Sequence, residues 1–67
     1  MKPMKYEQLI KLLSSFGVKY VRSGKGSHDI YALGAKTACI PAHRVVSAGT
    51  LRGIFKSLDI DYKNLAS

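Results

Sequence analysis

The chain has 67 residues, which suits one small domain, and it carries 11 Lys and Arg against 4 Asp and Glu. The formal net charge of +7 favours a polyanionic partner, with nucleic acid ahead of an anionic membrane or an acidic protein. No apolar run approaches the roughly 20 residues that span a bilayer, and the N-terminus lacks a signal peptide's apolar core. We therefore expect one domain over residues 1–67 that acts in the cytoplasm without a membrane partner.

The first quarter of the chain has apolar residues at helical spacing: Tyr6, Leu9, Ile10, Leu13 and Phe16. This pattern predicts one amphipathic helix from Met4 to Phe16. Gly17 follows at the place where a left-handed residue ends many helices.

Three short segments rich in β-forming residues come next. They run from Val18 to Ser23, from His28 to Leu33 and from Thr37 to Ile40. The links between them are short and contain glycine, which predicts an antiparallel meander. Cys39, the single cysteine, lies in the third segment, where we expect a buried structural thiol.

A loop over residues 41–46 leads to a second predicted helix, whose apolar residues are Leu51, Ile54, Phe55 and Leu58. Ser47 or Thr50 is its expected N-cap, and one more helical turn is expected from Asp61 with Tyr62 and Leu65 as its contacts. The order helix, three strands, helix predicts an α+β two-layer sandwich. Its two helices cover one face of an antiparallel sheet, as in the double-stranded-RNA-binding domain.

The Gly24-Lys25-Gly26-Ser27 turn brings His28 to the start of the second strand. Histidine exchanges protons near neutral pH, and glycines let a phosphate backbone approach the main chain. A structural histidine bonded to a nearby carbonyl is the alternative. Alternation places His28 on the same side as Ile30, at the mouth of the helical layer. Asp29 and Tyr31 would then lie on the open face.

RNA cleavage fits the available side chains better than metal or serine chemistry. The histidines and carboxylates show no familiar ligand spacing, so we predict no metal site. RNA carries its own nucleophile, the 2′-hydroxyl, and its cleavage needs only a base, an acid and positive charge. His28 is the candidate base, and His43 is either the acid or an exposed loop histidine. The candidate cations are Lys25, Arg22, Arg44 and Arg52.

Three motifs resemble the HicA family of mRNA interferase toxins. They are Gly26-Ser27-His28-Asp29-Ile30-Tyr31, Ile40-Pro41-Ala42-His43 and Gly49-Thr50-Leu51-Arg52-Gly53-Ile54. Their order and spacing, together with the opening helix, extend the resemblance along nearly the whole chain.

The resemblance implies a ribosome-independent endoribonuclease that cleaves mRNA without a cofactor and is neutralised by a HicB-type antitoxin. His28 matches the family's essential histidine, but Asp29 stands where members often carry a second one. We expect His28 to act as general base while Lys25 and Arg22 stabilise the phosphate charge. The expected RNA contacts are Gly26, Ser27, Arg44, Thr50 and Arg52. Two alternatives remain: a non-catalytic RNA-binding module of the same fold, and a protein that only docks an acidic partner.

Overall fold

A computed structural model describes residues 2–42 and 44–61 and contains two helices and five strands over those residues. In chain order the elements are β1 (Met4–Lys5), α1 (Tyr6–Ser15), β2 (Lys19–Ser23), β3 (His28–Leu33), β4 (Lys36–Pro41), β5 (Val45–Val46) and α2 (Ala48–Ser57). Both predicted helices and the three predicted strands are present, with ends that differ by one or two residues. The fold is therefore α+β, as the sequence predicts.

The main sheet is an antiparallel meander in the order β2-β3-β4, with β3 in the centre. A two-residue link, Gly34 and Ala35, joins β3 to β4, and Gly34 adopts the left-handed φ of 62° that such tight turns require. The pairing of β2 with β3 shifts register between Tyr20 and Arg22, which leaves Val21 as a bulge.

The helices cover the face of β3 that carries Asp29, Tyr31 and Leu33. Tyr31 pairs with Ala38 and Asp29 with Ile40, and residues paired across strands share a face. The buried cluster joins this face to both helices; its members are Leu9, Leu13, Val18, Tyr31, Ala38, Ile40, Val46, Leu51, Ile54, Phe55, Leu58 and Ile60. The predicted assignment of the two sheet faces is therefore wrong, because Tyr31 and not Ile30 enters the core.

Both helices end with the same pattern of two main-chain hydrogen bonds. After α1, the Val18 amide donates to Leu13 and the Gly17 amide to Ser14, with Gly17 at the left-handed φ of 90°. This is the Schellman motif, which satisfies carbonyls that the helix leaves unpaired. The helix end at Gly17 is confirmed, whereas Phe16, predicted on the apolar face, is 40% exposed.

The end of α2 repeats the motif with a different residue at the left-handed position. The Ile60 amide donates to Phe55 and the Asp59 amide to Lys56, while Asp59 has a φ of 58°. Among the described residues, Asp59 is the one non-glycine residue with positive φ. At the other end of α2, Ser47 is the N-cap, and its hydroxyl accepts from the Thr50 amide at 3.4 Å.

A second sheet of two short strands was not predicted. β1 pairs antiparallel with β5, so that Met4 lies opposite Val46 and Lys5 opposite Val45. The Tyr6 amide continues the ladder by donating to the Arg44 carbonyl at 3.1 Å. Two-residue strands show no hydrophobic periodicity, which is why the sequence predicts a loop over residues 41–46.

The helices of the described part of the chain are too short and too polar to cross a membrane. The extra helical turn predicted from Asp61 rests on Tyr62 and Leu65, which lie outside the described residues.

Candidate functional site

The turn before β3 is closed by main-chain hydrogen bonds around Lys25. The Gly24 amide donates to the His28 carbonyl at 2.7 Å, and the His28 amide donates to the Lys25 carbonyl at 3.3 Å. Gly26 has the left-handed φ of 63°, which is costly for residues with a side chain. A Cβ on Gly24 would lie 3.2 Å from the His28 carbonyl oxygen. Glycine at both positions therefore allows the tight turn that brings His28 to the first position of β3.

His28 is exposed and belongs to the open face of the sheet. It is two residues from Ile30, which pairs with Cys39, whereas the neighbouring pair of Asp29 and Ile40 faces the helices. The prediction that His28 and Ile30 share a side is consistent with this register, but that side is the open one. His28 is therefore reached from solvent over the sheet, and not from the helical layer.

Asp29 is engaged on the opposite face from His28. Its Oδ2 accepts a hydrogen bond from the Tyr6 hydroxyl at 3.0 Å, and the Tyr6 and Tyr31 hydroxyls are 2.9 Å apart. Partial burial, followed by the bonds to Tyr31 and Asp29, raises the pKa of Tyr6 well above its ordinary value. The Asp29 carboxylate thus fastens α1 to the centre of the sheet, a structural role that the sequence did not reveal.

Arg22 and Lys25 lie at the same end of the open face as His28. Arg22 pairs with Ile30 across β2 and β3, its side chain is exposed, and its Nη1 donates to the Ser23 carbonyl at 3.4 Å. Lys25 is exposed in the turn that precedes His28. One histidine and two cations therefore lie at this end of the sheet. The histidine can exchange a proton, and the two cations can attract a phosphate to the same place.

A further predicted residue, Ser27, is bonded to Ala42 in the segment that leads to Arg44. The Ala42 amide donates to the Ser27 carbonyl at 2.6 Å, which holds the chain after β4 against the turn before β3. Arg44 follows shortly and is exposed. His43, the candidate acid, lies outside the described residues.

Thr50 and Arg52, the two predicted RNA contacts on α2, have no described contact with the turn that carries His28. The Thr50 hydroxyl accepts a hydrogen bond from Ser47 at 2.9 Å, within the helix cap. Arg52 lines a shallow groove near the C-terminal end of α2, together with Gly53, Lys56, Asp59, Ile60 and Asp61. The described contacts therefore connect Ser27, next to His28, with Ala42, and they do not add Thr50 or Arg52 to that set.

The open face also carries Cys39, which is exposed. The prediction of a buried thiol is wrong because Ala38 and Ile40 take the two inward positions of β4, so Cys39 between them faces outward. Over residues 2–42 and 44–61, no three His, Cys, Asp or Glu side chains are grouped as metal ligands.

A family model described as the HicA toxin of bacterial toxin-antitoxin systems matches residues 6–60, which includes His28 and its turn, both main helices and the whole meander. No curated protein and no solved structure matches the chain significantly. Since the family match covers most of the chain, the protein belongs to the HicA family of toxins from bacterial toxin-antitoxin systems.

Proposed function

We propose that this toxin is an endoribonuclease that cleaves mRNA and that a HicB-type antitoxin neutralises it. The observation that carries the proposal is the exposed His28 at one end of the central strand, on the open sheet face, beside Lys25 and Arg22. Membership of the toxin family supports it, since an antitoxin partner belongs to that class of system. The proposed unit is one domain over residues 1–67, acting in the cytoplasm on mRNA.

His28 is the proposed catalytic base. A neutral imidazole removes the proton of the 2′-hydroxyl, the 2′-oxygen bonds to the adjacent phosphorus, and the bond from phosphorus to the 5′-oxygen breaks. The 5′-oxygen leaves as a hydroxyl with a proton from His43 or from water, and the other product ends in a 2′,3′-cyclic phosphate. Lys25 and Arg22 stabilise the negative charge that grows on the phosphate oxygens. This scheme needs no metal.

The RNA strand is proposed to follow the turn and the segments around it. Gly26 and Ser27 allow the backbone of the RNA to come near His28, and Arg44 binds a neighbouring phosphate. Thr50 and Arg52 remain candidate contacts on α2 for a longer RNA. An acidic surface of the antitoxin, placed on the same cationic region, excludes the RNA by occupying its site.

The test is induced expression of the wild type and His28→Ala in a bacterial host, with growth and transcript integrity followed together. We expect growth arrest and mRNA decay only from the wild type, because the variant lacks the proposed base. The variant should still fold, since the exposed His28 is not part of the core. Circular dichroism of both purified proteins establishes that each is folded. Equal toxicity of the two proteins removes His28 from the mechanism.

Purified protein separates cleavage from binding. Lys25→Gln and Arg22→Gln should each slow cleavage of RNA, whereas Lys36→Gln removes the same charge at the far end of β4 and should have little effect. The product ends should be 2′,3′-cyclic phosphates in the presence of a chelator. A folded wild type that binds RNA without cleaving it favours the non-catalytic RNA-binding module.

A further inference from the structure

An open groove of about 720 Å³ lies beside the short β1–β5 ladder. It is lined by Lys5, Tyr6, Glu7, Ala42, Arg44 and Val45. The pairing of Lys5 with Val45, and the bond from the Tyr6 amide to the Arg44 carbonyl, hold its two walls together. The ladder thus brings the cations Lys5 and Arg44 from distant parts of the sequence to one cleft.

The groove begins next to the proposed catalytic site. Ala42 lines the groove, and its amide is bonded to the carbonyl of Ser27, the residue before His28. Pro41, the residue before Ala42, pairs directly with His28 across β3 and β4. An RNA strand with one phosphate at His28 therefore finds the groove within its reach when it continues past Ala42.

The walls of the groove suit a nucleotide. Lys5 and Arg44 offer positive charge for a phosphate, and Arg can bind one through two parallel hydrogen bonds. Ala42, Val45 and Tyr6 offer apolar surface. Tyr6 counts as apolar here because its hydroxyl is already bonded to Asp29 and Tyr31. The volume lies within the range of pockets that hold small organic ligands.

We propose that this groove, which we call the Lys5–Arg44 groove, is a subsite for the nucleotide of single-stranded RNA that neighbours the one cleaved at His28. Lys5 and Arg44 bind its phosphate, and the apolar wall contacts its base or sugar. The proposal rests on the proposed ribonuclease function and adds Lys5 to the residues that contact the substrate.

Glu7 gives the proposal a distinctive signature. Glu7 lines the same groove, so its negative charge repels a phosphate bound there and lowers the net positive charge of the lining from two to one. Replacing Glu7 with glutamine should therefore strengthen RNA binding. Misfolding does not readily produce a gain of affinity, so this variant answers the objection that a loss reflects damage to the ladder.

The experiment measures binding of the full-length protein to a short random-sequence RNA pool whose 2′-hydroxyls are replaced by fluorine. This probe lacks the nucleophile, so binding is measured without cleavage. Fluorescence anisotropy over a series of salt concentrations gives the affinity and its salt dependence. Lys5→Gln and Arg44→Gln should each weaken binding several-fold and reduce the slope of log K against log salt by about 0.7, the value for one phosphate contact to a single strand.

Lys36→Gln is the matched control, because Lys36 begins β4 and Pro41, beside the groove, ends it. The groove proposal is wrong if Lys36→Gln and Lys5→Gln lose similar affinity for RNA, or if Glu7→Gln gains none. Cleavage of RNA by the wild type would still support the ribonuclease function in that case. Unchanged RNA binding together with weaker neutralisation by the antitoxin assigns the groove to the protein partner and also overturns the proposal. A folded wild type that neither binds nor cleaves RNA contradicts the proposed function itself.

Discussion

The Tyr6 hydroxyl donates a hydrogen bond of 3.0 Å to Oδ2 of Asp29, the residue that follows His28 in β3. The bond joins the first residue of α1 to the central strand from the helical side. Because the same strand presents His28 on its other face, this contact holds the strand that carries the proposed catalytic residue without involving His28 itself.

Tyr6→Phe should destabilise the fold by about 1–2 kcal/mol, because it leaves Asp29 and Tyr31 without a partly buried hydrogen-bond partner. Urea unfolding followed by circular dichroism measures the change. Tyr20→Phe is the control, since the Tyr20 hydroxyl bonds to the Ser23 hydroxyl in an exposed position. Equal losses from the two variants contradict a special role for Tyr6.

The raised pKa of Tyr6 predicts a loss of stability at alkaline pH. The folded protein favours the protonated hydroxyl, so its contribution is complete below the unfolded-state pKa of about 10 and is lost as pH rises through the folded-state value. The stability difference between wild type and Tyr6→Phe should therefore be constant at neutral pH and narrow above about pH 10. A difference that does not change with pH contradicts this linkage.

Asp59→Gly should stabilise the protein by about 0.5–1 kcal/mol, because it relieves a left-handed conformation at the end of α2. Gly17→Ala, at the equivalent position after α1, should destabilise by a similar amount. Thermal unfolding of the two variants tests the pair. Asp59→Asn removes the charge but keeps a side chain at this position. If Asp59→Asn stabilises the protein as much as Asp59→Gly does, the gain comes from removing the charge.

Gly24→Ala should slow RNA cleavage more than it changes stability. The new Cβ meets the His28 carbonyl oxygen at 3.2 Å, and the turn must shift to accommodate it. Initial cleavage rates and urea midpoints, measured together, distinguish the two effects. Gly53→Ala is the control, because a Cβ there meets open space and should stabilise α2 by about 0.5–1 kcal/mol. Wild-type cleavage by Gly24→Ala contradicts the proposed dependence on this turn.

The roles of the two histidines can be separated with a substrate whose leaving group needs no proton. If His43 is the acid, the His43→Ala variant should cleave RNA about 10²-fold more slowly or worse. The same variant should cleave a nucleoside 3′-phosphate ester of 4-nitrophenol at the normal rate, because that leaving group needs no proton. His28→Ala should be slow with both substrates, because the base is needed in each case. A His43→Ala variant that cleaves RNA at the wild-type rate leaves water as the proton donor.

The elements of the fold could be predicted because each main helix and strand has its own local pattern. The choice between the two sheet faces could not, since Ile30 and Tyr31 are neighbours and both are compatible with a core. Tyr31 enters the core because Tyr6, which is 25 residues away in sequence, meets its hydroxyl there. The same reversal exposes Cys39, which pairs with Ile30.

The candidate site was predictable only in its local part. The turn and His28 are adjacent in sequence, so their glycines and charge are visible as one motif. Lys5 was missed because its approach to Arg44 depends on a ladder of two residue pairs that are about forty residues apart in sequence. Such long-range pairing leaves no trace in spacing or composition.

The β1–β5 ladder has a consequence for a toxin that is itself made on a ribosome. Met4 is synthesised early, but its partner Val46 follows only after about forty further residues, and pairs so distant in sequence close late. A growing chain therefore carries the His28 turn before it carries the Lys5–Arg44 groove. The proposed RNA subsite is therefore complete only after Val45 and Val46 have been synthesised and have paired with β1.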